Sequence, residues 1–301
     1  MDLIETLCSL NGYWKYSGGK YLAKLTSGKV SDTYCNCGVL TCRPVKMRRS
    51  CADLIYKMVH SAGLPNNVGA DFPWEDDHLR DWVKRNNFYV CGPAMGGITL
   101  AYEVARQLDG TAIFTEPVYE LGKEAFAGGG WSSSQITCNN LVDNKAQKHY
   151  VQKSGQQLKR FEIPEGATVL FVEDVITTGK STREMIYAIA TLKASPKVNV
   201  LPYVLCLVNR SGHDDIWTLT RDDGSKMPMN VAGYCWHKNF KIISLADVQA
   251  RTWDTIDDAT EELLSDPGNR SKLEKHKQGN EIVLDAVRPK EHWDLLTGGD
   301  S

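Results

Sequence analysis

The sequence lacks a surplus of positive charge. Its 35 Lys and Arg residues are balanced by 37 Asp and Glu residues, and the formal net charge is −2. A protein that binds nucleic acid over a broad surface usually carries a concentration of basic residues. The composition therefore does not favour nucleic acid as a partner.

Long apolar runs are also missing. No stretch approaches the roughly 18 consecutive apolar residues of a membrane-spanning helix, so we expect no membrane partner. The first residues, Met1 to Thr6, lack the basic and long apolar regions of a secretory signal peptide. We therefore expect a cytoplasmic protein.

The chain has no Cys-x-x-Cys pair and no spaced set of histidines. Its nine cysteines are an odd number spread over a long chain, which favours reduced thiols over a disulfide framework. Cys35, Cys37 and Cys42 lie near one another in sequence, but nothing beside them completes the four ligands of a zinc site. We interpret them as packed thiols.

The most specific stretch that is present runs from Val169 to Thr182. Four apolar residues, Val169 to Val172, are typical of a short strand that is covered on both faces. Glu173 and Asp174 follow directly. Residues 177–182 then provide hydroxyl groups, a glycine and a lysine ahead of a run with helical spacing.

A loop that opens a helix in this way favours a phosphate, because free amides and the positive end of the helix dipole converge there. The two acids lie where a strand meets its loop, which is the usual ligand crevice of an open α/β sheet. We infer a ligand that carries a phosphate and hydroxyl groups, such as a sugar phosphate. A P-loop is disfavoured, because Asp174 stands where that motif needs its first glycine. A buried strand followed by a capped helix, without a ligand, is the alternative, but it does not explain two adjacent acids.

Residues 88–108 contain a second strand, glycine loop and helix. Gly92, Gly96 and Gly97 permit the close backbone approach that an oxygen-rich group such as pyrophosphate requires. This signal is weak by itself, since many turns between a strand and a helix carry two glycines. Apolar spacing also predicts a helix over residues 51–59 and a short one over 79–84.

The segment 169–182 strongly resembles the phosphoribosyl-pyrophosphate (PRPP) motif of type I phosphoribosyltransferases. The resemblance implies an α/β fold, with a parallel sheet flanked by helices and a small hood. It implies that Glu173 and Asp174 hold the ribose hydroxyls and stabilise positive charge on the ribose, with Mg²⁺ accompanying PRPP near Asp174. Some family members carry a lysine at the position of Gly96. The residues expected to contact PRPP are Met95, Gly96, Gly97, Glu173, Asp174, Thr177, Thr178, Gly179, Lys180 and Ser181.

The resemblance assigns base recognition to Tyr34, Thr177 and Arg210. The hairpin turn expected at Gly28 and the residues after it resemble the N-terminal signature of orotate phosphoribosyltransferases, in which Tyr34 matches an aromatic residue beside the base. Arg210 follows an apolar strand and matches an arginine that meets the orotate carboxylate, which a guanidinium grips through two parallel hydrogen bonds. Without the family, Tyr34 is equally compatible with a half-buried strand residue, and Arg210 with a surface strand end.

Between residues 117 and 157 the sequence is irregular and rich in Gly, Ser, Asn and Lys. About forty such residues inside a domain favour a functional lid. Related enzymes close a lysine-bearing loop over PRPP from this place. Lys123 is our first candidate for that catalytic lysine, with Lys145, Lys148 and Lys153 as alternatives. A segment without a role is the other interpretation.

We predict a phosphoribosyltransferase domain over residues 1–245, whose hood comes from residues 10–45 and 230–245. A C-terminal extension follows over residues 246–301. The resemblance, which covers residues 10–245, implies a homodimer that transfers the 5-phosphoribosyl group of PRPP to orotate, giving orotidine 5′-monophosphate and pyrophosphate. Transfer to another base and PRPP sensing by a regulatory protein remain alternatives. The extension has no basic stripe, which counts against the regulator.

Overall fold

The computed structural model describes residues 2–25, 28–60, 76–121, 136–142, 145–190, 198–217, 229–231, 234–236, 239–278 and 281–297. The chain divides into two compact units. The terminal unit comprises Met1–Leu40, Gly130–Ser134 and Gln249–Ser301. The central unit comprises Thr41–Gly129 and Gln135–Val248.

The elements are numbered in chain order. The strands are β1 (Tyr13–Lys15), β2 (Tyr21–Lys24), β3 (Val30–Ser31), β4 (Thr33–Cys35), β5 (Phe88–Pro93), β6 (Thr111–Leu121), β7 (Ile136–Val142), β8 (Lys145–Gln157), β9 (Thr168–Ile176), β10 (Asn199–Asn209), β11 (Asp215–Trp217), β12 (Met229–Val231), β13 (Tyr234–Trp236), β14 (Asn239–Asp247), β15 (Thr252–Trp253), β16 (Lys277–Gln278), β17 (Glu281–Ile282) and β18 (Asp285–Val287). The helices are α1 (Leu3–Ser9), α2 (Gly38–Thr41), α3 (Pro44–His60), α4 (Asp76–Arg85), α5 (Gly96–Leu108), α6 (Lys180–Ala190), α7 (Ile256–Ser265), α8 (Pro267–Leu273) and α9 (Trp293–Thr297), with a 3₁₀ turn at Glu274–His276.

The central unit is built on one eight-stranded sheet, ordered β11-β14-β10-β9-β5-β6-β8-β7. The five strands β14, β10, β9, β5 and β6 are mutually parallel. The flanking strands β11, β8 and β7 are antiparallel to their neighbours. The predicted α/β fold with a parallel sheet core is confirmed. No helix in the described ranges is long and apolar enough to cross a membrane.

The central strand β9 shows why this sheet forms. Successive strand residues point to opposite faces, so an apolar run on every residue must be covered twice. Val169 and Phe171 belong to the core that includes Met185 and Ile186 of α6. Leu170, on the alternate position, is equally buried, and α5 packs against β9 as well as β5 and β6. Packing on both faces therefore fixes the position of β9, and the carboxyl end of this strand carries the two acids.

Two segments of the central unit differ from the sequence analysis. Strand β6 extends to Leu121, into the segment 117–157 that was interpreted as irregular, and β7 and β8 occupy much of the rest of that segment. The residues of β8 are mostly polar, and a strand near the edge of an antiparallel ribbon needs no continuous apolar run. The hydrophobic pattern therefore could not reveal it.

The second difference is β14. Residues 230–245 were expected to contribute to the hood, but Asn239–Asp247 pairs in parallel with β10 inside the main sheet. Phe240 and Ile242 of this strand belong to the central core. A short aromatic-rich strand fits many sheets, and its partner is decided by distant residues rather than by its own pattern.

The terminal unit contains a four-stranded sheet, ordered β15-β3-β2-β18. The predicted hairpin turn lies between β2 and β3, where Gly28 has φ +86° and the Leu25 amide donates to the Lys29 carbonyl. That backbone conformation is one that glycine adopts readily. Strands from both ends of the chain thus share one sheet.

An ion pair between a buried carboxylate and an exposed arginine joins the N-terminal and C-terminal segments within this unit. Asp32 is 5% exposed and accepts hydrogen bonds from the Arg251 amide at 2.8 Å and from Arg251 Nε at 2.9 Å. Nearby, Leu22 and Val30 pack in one core with Leu263 of α7. Residues 249–301, which the sequence analysis treated as an extension, are thus half of this unit. The domain boundary at residue 245 stays a prediction.

Candidate functional site

Glu173 lies near the carboxyl end of β9 and is buried. Its Oε2 accepts a hydrogen bond from Thr182 Oγ1 at 3.1 Å. Thr182 lies in the first turn of α6 and is buried as well. This bond links the strand end to the start of the helix, so the position of the loop between them is set at both ends.

Asp174 is the second acid of the pair and the more accessible one. Its Oδ1 accepts a hydrogen bond from the Val175 amide at 2.9 Å. Burial of the carboxyl group raises the pKa of Asp174 above its usual value, because removing water disfavours the ionised form. A cation or a hydroxyl donor beside this carboxylate would offset that loss of hydration.

The loop after the acids turns sharply into α6. Gly179 has φ +68°, and its carbonyl accepts a hydrogen bond from the Arg183 amide at 2.9 Å, which starts the helix. Arg183 Nη1 also donates to the Thr178 carbonyl at 3.0 Å. Thr177, Thr178 and Lys180 are exposed. Hydroxyls, a cation and a helix start thus converge where an anion binds favourably.

The glycine loop between β5 and α5 meets the acidic segment directly. A Cβ atom built on Gly96 would lie 2.5 Å from the carboxyl carbon and both carboxylate oxygens of Asp174. Within the same loop, a Cβ on Gly97 would lie 2.5 Å from Pro93 Cδ, and one on Gly92 would overlap the Gly97 carbonyl. The two loops predicted separately therefore touch, and the contact exists because residue 96 has no side chain.

Arg210 follows β10, the neighbour of β9. Its amide donates to the Ile176 carbonyl at 2.7 Å, which fixes its backbone beside the end of β9. The preceding residue, Asn209, is buried and holds the next turn: its Nδ2 donates to the His213 carbonyl and to Asp247, and its Oδ1 accepts from Ser211. The turn that carries Arg210 is therefore held by three strands.

Tyr34 belongs to the terminal unit, on β4. It is half-buried, and its ring lies edge-to-face with Trp293 at a centroid distance of 6.0 Å and an interplanar angle of 64°. Burial raises the pKa of Tyr34. The phenol is therefore neutral at physiological pH.

The central unit thus holds most of the predicted site residues at the carboxyl ends of its parallel strands. Lys123 lies outside the described residues, and for Lys145, Lys148 and Lys153 the structure describes the backbone of β8 only. The remaining predicted residues lie on the two loops and on the turn after β10: Met95, Gly96, Gly97, Glu173, Asp174, Thr177, Thr178, Gly179, Lys180, Ser181 and Arg210.

Sequence analysis missed three supporting residues. Thr182 lies in the hydroxyl-rich segment. Its position at the start of a helix was a signal from which its bond to Glu173 could have been predicted. Asn209 preceded Arg210 without any local signal of its bonds to Asp247. Trp293 lay in the extension, far in sequence from Tyr34.

The described residues contain no group of three or more His, Cys, Asp or Glu side chains that could hold a metal ion. Cys35 and Cys37, whose sulfurs lie 4.0 Å apart, form no disulfide and belong to no such group. Mg²⁺ commonly takes one or two protein carboxylates and completes its octahedron with substrate phosphates and water. Asp174 is the donor at this site that fits such a role.

Comparison with known proteins gives consistent matches. Residues 74–219 match the family described as phosphoribosyl transferase domain. An orotate phosphoribosyltransferase of Thermoanaerobacter sp. (strain X514) is 31% identical over 172 residues, which are 57% of this chain and 60% of that protein. One from Bartonella henselae is 33% identical over 137 residues, 45% of this chain and 50% of that protein. The chain thus spans 50–60% of the length of these two relatives.

Among solved structures, the orotate phosphoribosyltransferase of Aeropyrum pernix aligns over 88% of this chain and 99% of its own. The two share 19% sequence identity, with a TM-score of 0.41.

Proposed function

Residues 74–219 match the phosphoribosyl transferase domain family, and on that premise we propose that the chain transfers the 5-phosphoribosyl group of PRPP to orotate as a homodimer. The products are orotidine 5′-monophosphate and pyrophosphate. One observation carries the proposal: the glycine loop and the acidic segment meet at the carboxyl ends of adjacent parallel strands, with Gly96 against the Asp174 carboxylate.

The ribose 5′-phosphate half of PRPP is assigned to the acidic segment. Residues 177–181 bind the 5′-phosphate through hydroxyls, amides and Lys180, because the start of an α-helix stabilises an anion. Glu173 and Asp174 accept hydrogen bonds from the ribose hydroxyls. The bond from Thr182 keeps Glu173 oriented, so one acid is aimed before substrate arrives.

The pyrophosphate half is assigned to residues 95–97. Gly96 and Gly97 let the backbone approach the phosphate oxygens closely, and no lysine is present at residue 96. Asp174 would hold Mg²⁺ together with oxygens of PRPP, and the bound ion would supply positive charge to neutralise the leaving pyrophosphate. The protein's own part is to orient the ribose between the two loops.

The reaction breaks the bond between C1′ and the pyrophosphate oxygen, which leaves with the electron pair. A ring nitrogen of the base forms the new bond to C1′ and loses its proton, which the leaving pyrophosphate accepts. Positive charge accumulates on the ribose as the old bond lengthens, so fixed carboxylates at 173 and 174 stabilise the transition state. Neither needs to act as a nucleophile. Lys123 is proposed as the lid lysine, and closure of the lid excludes water that would hydrolyse PRPP.

Base recognition is assigned to Arg210, Thr177 and Tyr34. Orotate differs from uracil by a ring carboxylate, and a desolvated carboxylate without a cation costs several kcal/mol. Arg210 stands at a strand end whose backbone is hydrogen-bonded to Ile176, beside the acidic segment. The names of the relatives at about 30% identity also support orotate over other bases.

The test is product formation from PRPP and Mg²⁺ with a panel of bases, namely orotate, uracil, adenine and hypoxanthine, for the wild type and Arg210→Ala. We expect the wild type to prefer orotate. Loss of one charge-assisted pair should raise the orotate KM by about 30-fold or more, equivalent to about 2 kcal/mol. The KM for PRPP should remain nearly unchanged, because its contacts lie elsewhere.

Arg106→Ala is the matched control. Arg106 lies on α5 and pairs with Glu103 of its own helix at 2.6 Å, so its removal should leave both KM values unchanged. If the wild type prefers another base, that base would replace orotate in the proposed function. PRPP binding without transfer to any base would point to a sensing protein instead.

A further inference from the structure

The last described residues of the chain, 281–297, are built into the terminal unit. Strand β18 pairs in parallel with β2, with Ala286 opposite Leu22. At the end of α9, the Leu296 carbonyl accepts a hydrogen bond from Trp14 Nε1 at 2.7 Å, and this bond is buried. The segment is therefore held at two separate places by the N-terminal strands.

Tyr34 is connected to this segment through its side chain and its backbone. Its ring meets Trp293, the first residue of α9, in the edge-to-face contact at 6.0 Å. Its backbone partner across the β1–β4 pair is Trp14, the residue that holds Leu296. Tyr34, Trp293 and Leu296 also share one small apolar cluster. A change in the segment therefore reaches Tyr34 by two routes.

We propose that Trp293 is a positioning residue for Tyr34, and that the C-terminal segment 281–297 thereby sets how tightly the base is bound. This inference rests on the proposed function, in which Tyr34 contacts the base. A ring that is already held in its bound orientation loses less conformational freedom when the base arrives. Trp293 therefore acts on base binding without touching the base.

The inference separates the two substrates. Contacts with PRPP are assigned to loops of the central unit, so loosening Tyr34 should change the KM for the base and leave the KM for PRPP unchanged. An aromatic edge-to-face pair corresponds to a change of roughly three- to tenfold in binding. A purely structural role of α9 would instead lower the amount of folded enzyme, and the apparent kcat would then fall equally whichever substrate is varied.

The experiment uses the full chain in four forms: wild type, Trp293→Ala, Trp293→Phe and Leu295→Ala. Leu295 lies on the same helix and is 36% exposed, which makes it a matched control. We expect Trp293→Ala to raise the KM for orotate three- to tenfold. Trp293→Phe should restore most of the affinity, because it keeps an aromatic ring, and Leu295→Ala should resemble the wild type. Equal changes in both KM values would overturn the inference.

A double-mutant cycle tests whether the effect passes through Tyr34. In a Tyr34→Ala background, Trp293→Ala should add little to the KM for orotate, since the ring that it positions is gone. Independent, multiplicative effects would show that Trp293 acts by another route.

Hydrogen exchange separates failure of the inference from failure of the proposed function. Trp293→Ala should speed amide exchange in β4 relative to Leu295→Ala, because one side of Tyr34 loses its contact. If the wild type transfers to no base, the proposed function fails, and exchange in β4 still decides whether Trp293 holds Tyr34. Unchanged exchange would overturn the positioning role whatever the activity.

Discussion

Replacing Gly96 with alanine should damage turnover far more than stability. The new Cβ would lie 2.5 Å from the Asp174 carboxylate, whereas ordinary contact begins near 3.4 Å, so the acid must retreat by about 0.9 Å. The obstacle is the end of a side chain, which can rotate away at little cost to the fold.

The functional cost follows from the same displacement. A misplacement of about 1 Å in a reacting constellation lowers rates by roughly 10²-fold. We therefore expect kcat for transfer from PRPP to fall about 10²-fold, while the urea midpoint changes little. Steady-state kinetics and urea denaturation of the same preparation measure the two quantities.

Gly19→Ala is the control, because a Cβ at residue 19 meets nothing within 4 Å. It should leave kcat unchanged. If Gly96→Ala retained wild-type turnover, the position of the Asp174 carboxylate would not matter, and its assignment to the ribose would be wrong. A large loss of stability would instead mean that the loop backbone, rather than the acid, gives way.

Three further results are expected. Because burial raises the folded-state pKa of Asp174, its ionisation lowers stability as pH rises through that value. Asp174→Asn should therefore be more stable to urea than the wild type at pH 7, and this difference in stability should vanish below the unfolded-state pKa of about 3.9. Its kcat should fall about 10²-fold. A variant less stable than the wild type at pH 7 would contradict the effect of burial. PRPP with Mg²⁺ should protect residues 117–157 from limited proteolysis, and cleavage unaffected by saturating PRPP would leave the lid without support. Asp32→Ala should lower the free energy of unfolding by about 1–3 kcal/mol, because it leaves the Arg251 amide without its acceptor. Asp254→Ala, which removes the exposed ion pair with Lys29, should change that free energy by under about 1 kcal/mol. Equal losses of stability in urea denaturation would contradict this difference.

The parts of the fold that were predictable are those with a strong local pattern. An apolar run on every residue requires cover on both faces, so β9 could be identified as a central strand from Val169 to Val172 alone. The helix after β9 was predicted from the helical spacing of its apolar residues, and Gly28 correctly indicated a turn. Two acids at the end of a buried strand were likewise enough to locate the candidate site.

The parts that were missed depend on residues that meet only in space. The polar strand β8 carries no hydrophobic alternation to distinguish it from a loop. Strand β14 was predicted to lie in the hood, because the local sequence around Phe240 and Ile242 does not determine which sheet the strand joins. The contact of Gly96 with Asp174 joins two loops that the sequence presents as unrelated, although each was predicted. The bond from Asn209 to Asp247 is invisible for the same reason.

The pairing of the two chain ends has a consequence for the order of events during synthesis. Residues 2–40 leave the ribosome before residues 41–248, but strands β2 and β3 need β15 and β18, which are made after them. At about 5–20 residues per second, the interval between residue 40 and residue 249 lasts roughly 10–40 s. The central unit can fold within that time, whereas the N-terminal strands wait with unpaired edges. Until β15 and β18 are made, the nascent chain therefore presents strands that are open to pairing with other chains, and a chaperone would be needed to cover them.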